Sequence, residues 1–219
     1  MRILAFDCAG AQCAAALLSD GDVIATRRTL AERGHAQLLI PMLVDVLREV
    51  GLKFSDIDRF AVTTGPGSFT GIRVALAAAH GLALGTAKPI VGITVFEAMA
   101  AAPVAAGTAA PRLLVAIDSR RAEQFVQLFD PAGIPLTEPA MLLPEAVADW
   151  AGPEALALTG DAAEQIAPHL AGMVNNLPED WVAHVDPAIV ARLAIDRPAG
   201  SAPAPFYLRA PDAVPAKVR

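Results

Sequence analysis

The sequence predicts an α/β protein of two related lobes, each a mixed sheet flanked by helices. Three observations predict it. Residues 2–24 read RILAFDCAGAQCAAALLSDGDVI and residues 112–134 read RLLVAIDSRRAEQFVQLFDPAGI. Each is a basic residue, an apolar run, an Asp, a small or polar turn, a second apolar run and an Asp/Gly turn, which marks two units that each open with a β-hairpin. Between the repeats, Pro103-Val104-Ala105-Ala106-Gly107-Thr108-Ala109-Ala110-Pro111 is small, uncharged and bounded by proline, as a linker is. After each hairpin, strand-like and helix-like runs alternate. The predicted division is an amino-terminal lobe over 1–103, a linker over 104–111 and a carboxy-terminal lobe over 112–219.

In the first lobe the hairpin Ile3–Phe6 and Cys13–Leu18 continues through Ser19-Asp20-Gly21-Asp22 into a strand Val23–Thr26. A helix runs from His35 to Val50 and stops at Gly51; Pro41 kinks it or marks a late start. Strand Arg59–Thr64 enters a glycine-rich loop, helix Thr70–Leu84 follows and ends at Gly85, then strand Pro89–Ile93 and a helix from Thr94 to Ala102. The second lobe has the hairpin Leu113–Ile117 and Gln124–Phe129, helices over Pro144–Trp150 and Ala162–Leu170, and a strand Leu156–Thr159 ending in Gly160-Asp161. Asp186-Pro187 reads as N-cap and first helical residue of a helix reaching Ile195. A Pro/Ala/Gly-rich stretch, 197–205, leads into Phe206-Tyr207-Leu208-Arg209.

The loop Gly65-Pro66-Gly67-Ser68-Phe69-Thr70-Gly71-Ile72-Arg73 is the most informative stretch. A strand turning through glycines into a helix leaves free N–H groups at the helix start, which can hold an anion or let two backbones approach closely. A phosphate-cradling Walker loop needs Lys and Ser or Thr after its last glycine, and here Ile72 and Arg73 follow Gly71. A dinucleotide fingerprint needs other glycine spacings than the three residues between Gly67 and Gly71. What remains is an anion site or a tight turn with Thr70 or Ser68 as N-cap.

Composition narrows the function. The chain has 219 residues, 17 Lys plus Arg against 23 Asp plus Glu, and a net charge of −6. Strong nucleic-acid binding normally needs a basic face, so the chain alone is expected to be a poor binder unless a partner supplies the charge. Hydrophobic residues make up 54% and charged residues 18%, yet no run of about 18 uninterrupted apolar residues argues for a membrane span. The opening Met1-Arg2-Ile3-Leu4-Ala5-Phe6-Asp7 reads as a strand and not as a signal peptide. The expectation is a cytoplasmic protein with apolar surface left over for another subunit. Cys8 and Cys13 have no second pair to complete a zinc site and suit small core positions. His35, His80, His169 and His184 form no helical metal motif.

Two helices carry that surplus. Helix 35–50 has Leu38, Leu39, Ile40, Met42, Leu43, Val46, Leu47 and Val50, more than one stripe of about 100° can hold. Leu39, Leu43, Leu47 and Val50 can face the home sheet, which leaves Leu38, Met42 and Val46 pointing elsewhere. Helix 70–84 is rich in alanine with hardly a charge, and small residues let helices approach to about 8 Å. The expected partner interface comprises His35, Leu38, Leu39, Met42 and Val46 with Arg73, Val74, Ala78, Gly81 and Leu82. The competing expectation is that the second lobe covers these faces.

The nine-residue loop, the opening Arg2-Ile3-Leu4-Ala5-Phe6-Asp7 and the closing Pro205-Phe206-Tyr207-Leu208-Arg209 together resemble the TsaB family, formerly YeaZ. The Gly85–Ile93 segment and Ala116-Ile117-Asp118 also fit. The resemblance implies an actin/Hsp70/sugar-kinase-like, RNase H-like fold of two related lobes. It implies a cytoplasmic, non-catalytic subunit without a cofactor, which helps TsaD transfer threonylcarbamoyl to the adenosine after the anticodon of certain tRNAs. TsaD and the ATPase TsaE are the implied partners, a homodimer is an alternative pairing, and tRNA is reached only through the complex. The turn Cys8-Ala9-Gly10-Ala11-Gln12 departs from nucleotide-using relatives of the wider fold, having one glycine and no hydroxyl, which argues against ATP there. Two other readings compete. A kinase-like enzyme would use Asp7 or Asp118 as base or metal ligand, although both carboxylates also suit hairpin caps. A peptidase would use Ser68 as nucleophile, but no spacing nominates its base.

Overall fold

The computed structural model describes residues 1–105, 110–170, 172–174, 183–198, 200 and 202–209. Of the expected linker, residues 106–109 lie outside the described residues. In the first sheet β1 (Arg2–Asp7) pairs antiparallel with β2 (Gln12–Ser19), which pairs antiparallel with β3 (Asp22–Leu30). On the other side β4 (Arg59–Thr63) and β5 (Ile90–Ile93) add in parallel, giving the order β3-β2-β1-β4-β5. The second sheet runs β8-β7-β6-β9, from β6 (Leu113–Ile117), β7 (Gln124–Phe129), β8 (Ala140–Leu142) and β9 (Ala157–Thr159). Here β6 pairs antiparallel with β7 and parallel with β9, as β1 does with β2 and β4. The echo in the sequence is thus an echo in topology. Five buried residues in a row in β1, and again in β6, show why these runs read as continuous apolar stretches: both faces are covered.

The helices are α1 (His35–Glu49), α2 (Phe69–Thr86), α3 (Val95–Ala105), α4 (Val147–Ala151), α5 (Ala163–Ile166) and α6 (Pro187–Leu193). α1 starts at His35 and runs unbroken past Pro41, so the proline does not mark a late start. Strand β3 runs four residues beyond the expected Thr26 because every residue of β2 has a partner on it. The short β8 was not foreseen; three half-buried residues carry no periodic signal. The helix expected over 162–170 breaks into α5 and a 3-10 turn, Ala167–Leu170, where Pro168 brings no N–H. Asp186 caps α6 as expected, its carboxylate accepting the Ala188 N–H at 2.9 Å.

α6 follows the second sheet in sequence but packs on β1, β2 and α3 of the first, where Val190 and Ala191 are fully buried. Arg59, at the start of β4, holds its end: the guanidinium donates to the carbonyls of Ala194, Ile195 (3.1 Å) and Arg197 (2.8 Å). Ala194 is the C-cap of α6, so the cation sits at the negative end of the helix dipole, while the Ile195 and Arg197 carbonyls lie just past the helix.

A close backbone contact joins the glycine loop to the turn between β1 and β2. A Cβ on Gly71 would lie 1.8 Å from the Cys8 carbonyl oxygen, and one on Gly67, at φ +150°, would lie 2.3 Å from that of Ala9. The Ser68 N–H donates to the Ala9 carbonyl at 2.6 Å. The second lobe repeats the device. Gly160, at φ +108°, approaches the Ala116 carbonyl so closely that a Cβ would lie 1.9 Å from it. Beside it, Asp161 accepts the Asp118 N–H at 2.7 Å.

Two predictions follow from these clamps. Gly71→Ala forces backbone apart and is expected to cost about 3 kcal/mol or more in urea unfolding. Gly81→Ala, on the same helix with nothing within 4 Å, is expected to be neutral or stabilising by up to about 1 kcal/mol; equal losses would contradict the clamp. Burial pushes the Asp161 carboxyl from 3.8 up to about 6, and the Asp118 charge adds to the push. The unfolded chain ionises Asp161 near 3.8, so between about pH 4 and 6 the folded state holds the extra proton. This group's contribution is full below about pH 4 and falls as pH rises through 6. Asp161→Asn, whose amide oxygen still accepts the Asp118 N–H, is expected to flatten that decline by at most about 3 kcal/mol. An unchanged slope would assign the effect elsewhere.

Candidate docking face and inter-lobe cleft

The glycine loop serves backbone contact. Ser68 caps α2, its hydroxyl accepting the Gly71 N–H at 3.2 Å, while its own N–H goes to Ala9. The electropositive start of α2 therefore faces the carbonyls of Cys8 and Ala9. The Ala9 N–H is engaged too, donating to Asp7 at 2.9 Å. Thr70, the other N-cap considered, is exposed inside the first turn. Among the described residues no histidine or carboxylate hydrogen-bonds Ser68, so its hydroxyl lacks the base a nucleophile needs.

Asp7 is fully buried and accepts from Ala9 N–H, Gln12 Nε2 at 3.1 Å and Thr63 Oγ1 at 2.6 Å. Burial raises its pKa, and these hydrogen bonds pull against that rise. Asp118 occupies the matching place in the second lobe and accepts the Arg120 N–H at 2.7 Å. Both carboxylates close the turns of their own hairpins. Cys8 and Cys13 are both buried, their sulfurs 3.5 Å apart. Among the described residues no group of three or more His, Cys, Asp or Glu could hold a metal ion.

α1 and α2 lie side by side, and the expected interface residues fall into two sets. Leu39 and Val46 are fully buried, Met42 is buried, and His35 is 4% exposed with its Nε2 unpartnered. These four are core, which corrects the expectation that Met42 and Val46 point away. α1 wedges into the corner between β2, β3 and α2, so its buried arc exceeds one sheet-facing stripe. Leu38, Val74, Ala78 and Leu82 are half-buried, and Arg73 and Gly81 are exposed. The sequence reading missed Ile40, Ala77 and Leu84, all exposed, the last at 88%. A helical wheel centred opposite Ile72, Ala75, Leu76 and Ala79 finds Arg73, Ala77, Gly81 and Leu84 on one outward face. α2 has the length and apolarity of a membrane-crossing helix, but only 28% of it is buried in the protein. Its buried residues, Gly71, Ile72, Ala75, Leu76 and Ala79, hold one side to the core.

The closing segment binds this helix to the rest. The Phe206 N–H donates to the Thr64 carbonyl at 2.8 Å, and the Pro203 carbonyl meets His80 Nε2 at 3.0 Å. Tyr207 stacks on Phe69 with centroids 5.3 Å apart, and Arg73 lies 3.6 Å over the Phe69 ring while donating to the Tyr207 hydroxyl. Arg209 then pairs with Glu123 of the second lobe at 2.9 Å. Beneath this segment an open cleft of about 620 Å³ lies between the lobes, lined by the glycine loop, the β6–β7 turn and residues 206–209.

The family model described as TsaD: tRNA N6-adenosine threonylcarbamoyltransferase matches residues 23–175. The Escherichia coli (strain K12) tRNA threonylcarbamoyladenosine biosynthesis protein TsaB is 42% identical over 125 residues, 57% of this chain and 53% of that protein. The chain thus spans about half the length of that curated relative. A crystal structure from Pseudomonas aeruginosa, described as similar to peptidase YEAZ, superposes with a TM-score of 0.78 at 28% identity, covering 95% of this chain and 99% of that one. At 12% identity, an activator of the 2-hydroxyisocaproyl-CoA dehydratase from Clostridium difficile superposes with a TM-score of 0.51 over 88% of this chain and 93% of that one, a likeness of fold alone. The two mixed sheets with their repeated topology are those of the actin/Hsp70/sugar-kinase fold. The chain belongs to the TsaD-related family, on its TsaB/YeaZ branch.

Proposed function

We propose that this chain is a non-catalytic scaffold subunit of a cytoplasmic machinery for tRNA N6-threonylcarbamoyladenosine formation at adenosine 37. It docks TsaD through the outward face of α2 and the adjoining edge of α1, and TsaE joins the pair. The observation that carries this reading is the open, small-residue face of α2: Ala77 and Gly81 exposed, Ala78 half-covered and Leu84 standing free at 88% exposure. Small residues permit close helix-on-helix approach, and an interface of ordinary size needs about 800 Å² from each side. A relative named for this modification, and the match of this chain to the TsaD family, support TsaD as the partner in this reading. A homodimer through the same face would compete with TsaD. The chain's net charge of −6 fits a subunit that leaves most of the pull on tRNA to its partners.

The kinase-like alternative draws on the fold, and the engagement of Asp7 and Asp118 inside their own turns weighs against it. The Ala9 N–H, which donates to Asp7 and is not free for a phosphate, weighs against it as well.

Gly81→Glu and Ala77→Glu are each expected to weaken a 1:1 complex with TsaD on a sizing column by at least about 30-fold, with melting temperature nearly unchanged. An intact complex would refute the face. Omitting the chain from a reconstituted modification reaction is expected to abolish product, and the chain alone is expected to make none. Micromolar Mg-ATP binding by the isolated chain in a calorimeter would favour the enzyme reading instead.

A further inference from the structure

The inter-lobe cleft has a lining unlike the rest of this acidic chain. Arginines line it from three separate segments: Arg33 before α1, Arg120 and Arg121 in the β6–β7 turn, and Arg209, paired with Glu123, near the carboxy terminus. Only Glu32 and Asp118 oppose them on the lining. Arg33 makes no ion pair among the described residues. Arg120 is held at φ +61°, a conformation unusual for a residue other than glycine; its side chain is mostly exposed and lies 3.6 Å from the Asp118 carboxylate, a loose surface pair that an incoming phosphate can replace. Phe69, Phe206 and Tyr207 supply aromatic surface at the same wall, and Phe69 is 39% exposed. The Phe69–Tyr207 stack, with Arg73 over it, extends this wall to the start of α2.

Arginines beside one exposed and two half-buried aromatic rings suit phosphodiester charge and unstacked bases, the two things a single-stranded RNA segment presents. A volume of about 620 Å³ holds one or two nucleotides and not a folded duplex. A polyphosphate tail fits less well, since the Ala9 N–H and the start of α2 are already engaged.

We propose that this cleft is a contact site for a single-stranded segment of RNA, with Arg33 and Arg120 meeting phosphates and the Phe69–Tyr207 wall meeting bases. The identity of the nucleic acid rests on the tRNA-modification reading; the proposal goes beyond it in giving this subunit its own RNA contact. The charge of the whole chain gives little long-range attraction, so the contact is short-ranged and strengthened by partners that bring the RNA close.

The test is photocrosslinking of a 4-thiouridine-labelled single-stranded oligoribonucleotide to the full chain, with the adduct mapped by mass spectrometry. The expected adduct lies on the peptides carrying Phe69 or Phe206–Leu208, and its yield falls about tenfold between 50 and 200 mM salt. Arg33→Ala and Arg120→Gly, the latter suited to the positive φ, are expected together to lower the yield about tenfold while the melting curve stays in place. A double-stranded oligonucleotide is expected to give no adduct there. No adduct, an adduct mapped to other peptides, or a yield indifferent to both substitutions would overturn the proposal. So would full competition by adenosine monophosphate at equal phosphate concentration, which would assign the cleft to a free nucleotide. None of these readouts involves TsaD, so failure of the scaffold reading would show on the sizing column and not here.

Discussion

The structure depends on one close approach: the backbone of the glycine loop against the carbonyls of Cys8 and Ala9. It fixes where α2 begins and fastens β4 to the hairpin it lies beside. It also sets the rotation of α2 about its own axis. With Gly71 and Ile72 pinned inward, the 3.6-residue period sends Arg73, Ala77, Gly81 and Leu84 outward. The same contact engages the Ser68 N–H at the start of α2.

The closing segment connects that surface to the cleft. Residues 203–209 touch His80 and Arg73 on α2, Thr64 at the loop, and Glu123 in the second lobe. Gly92 and Gly65 are bare where this segment crosses them, since a Cβ on Gly92 would lie 2.7 Å from Pro203 and one on Gly65 2.6 Å from the Phe206 carbonyl. Arg197 adds a pair to Glu97 at 2.5 Å on the way. A partner that shifts α2 would therefore be felt at Tyr207 and Arg209, on the wall of the cleft.

Much of the fold was legible in the sequence because its signals are local. The two hairpins announce themselves through Asp, small turns and Asp/Gly turns, and the glycine loop through its spacing. Leu39, Leu43 and Leu47 on the sheet side of α1 follow from helical period alone. What was not legible depends on neighbours. Met42 and Val46 are apolar at positions that a single stripe would expose, and only the corner formed by β2, β3 and α2 buries them. Leu84 looks like any other core leucine until the rotation of α2 is known. The return of α6 to the first sheet, and the pairing of Phe206 with Thr64 across 142 positions, leave no periodic or compositional trace. The arginines of the cleft come from distant segments for the same reason.

The proposed scaffold role requires the outward face of α2 to be occupied in the working assembly. Amide hydrogen exchange on this chain, alone and with TsaD present, reads that requirement directly. Added protection is expected to concentrate on the peptides spanning Arg73 to Gly85 and the facing edge of α1. Stable association that leaves those peptides unchanged, or protects only the second sheet, would contradict that role.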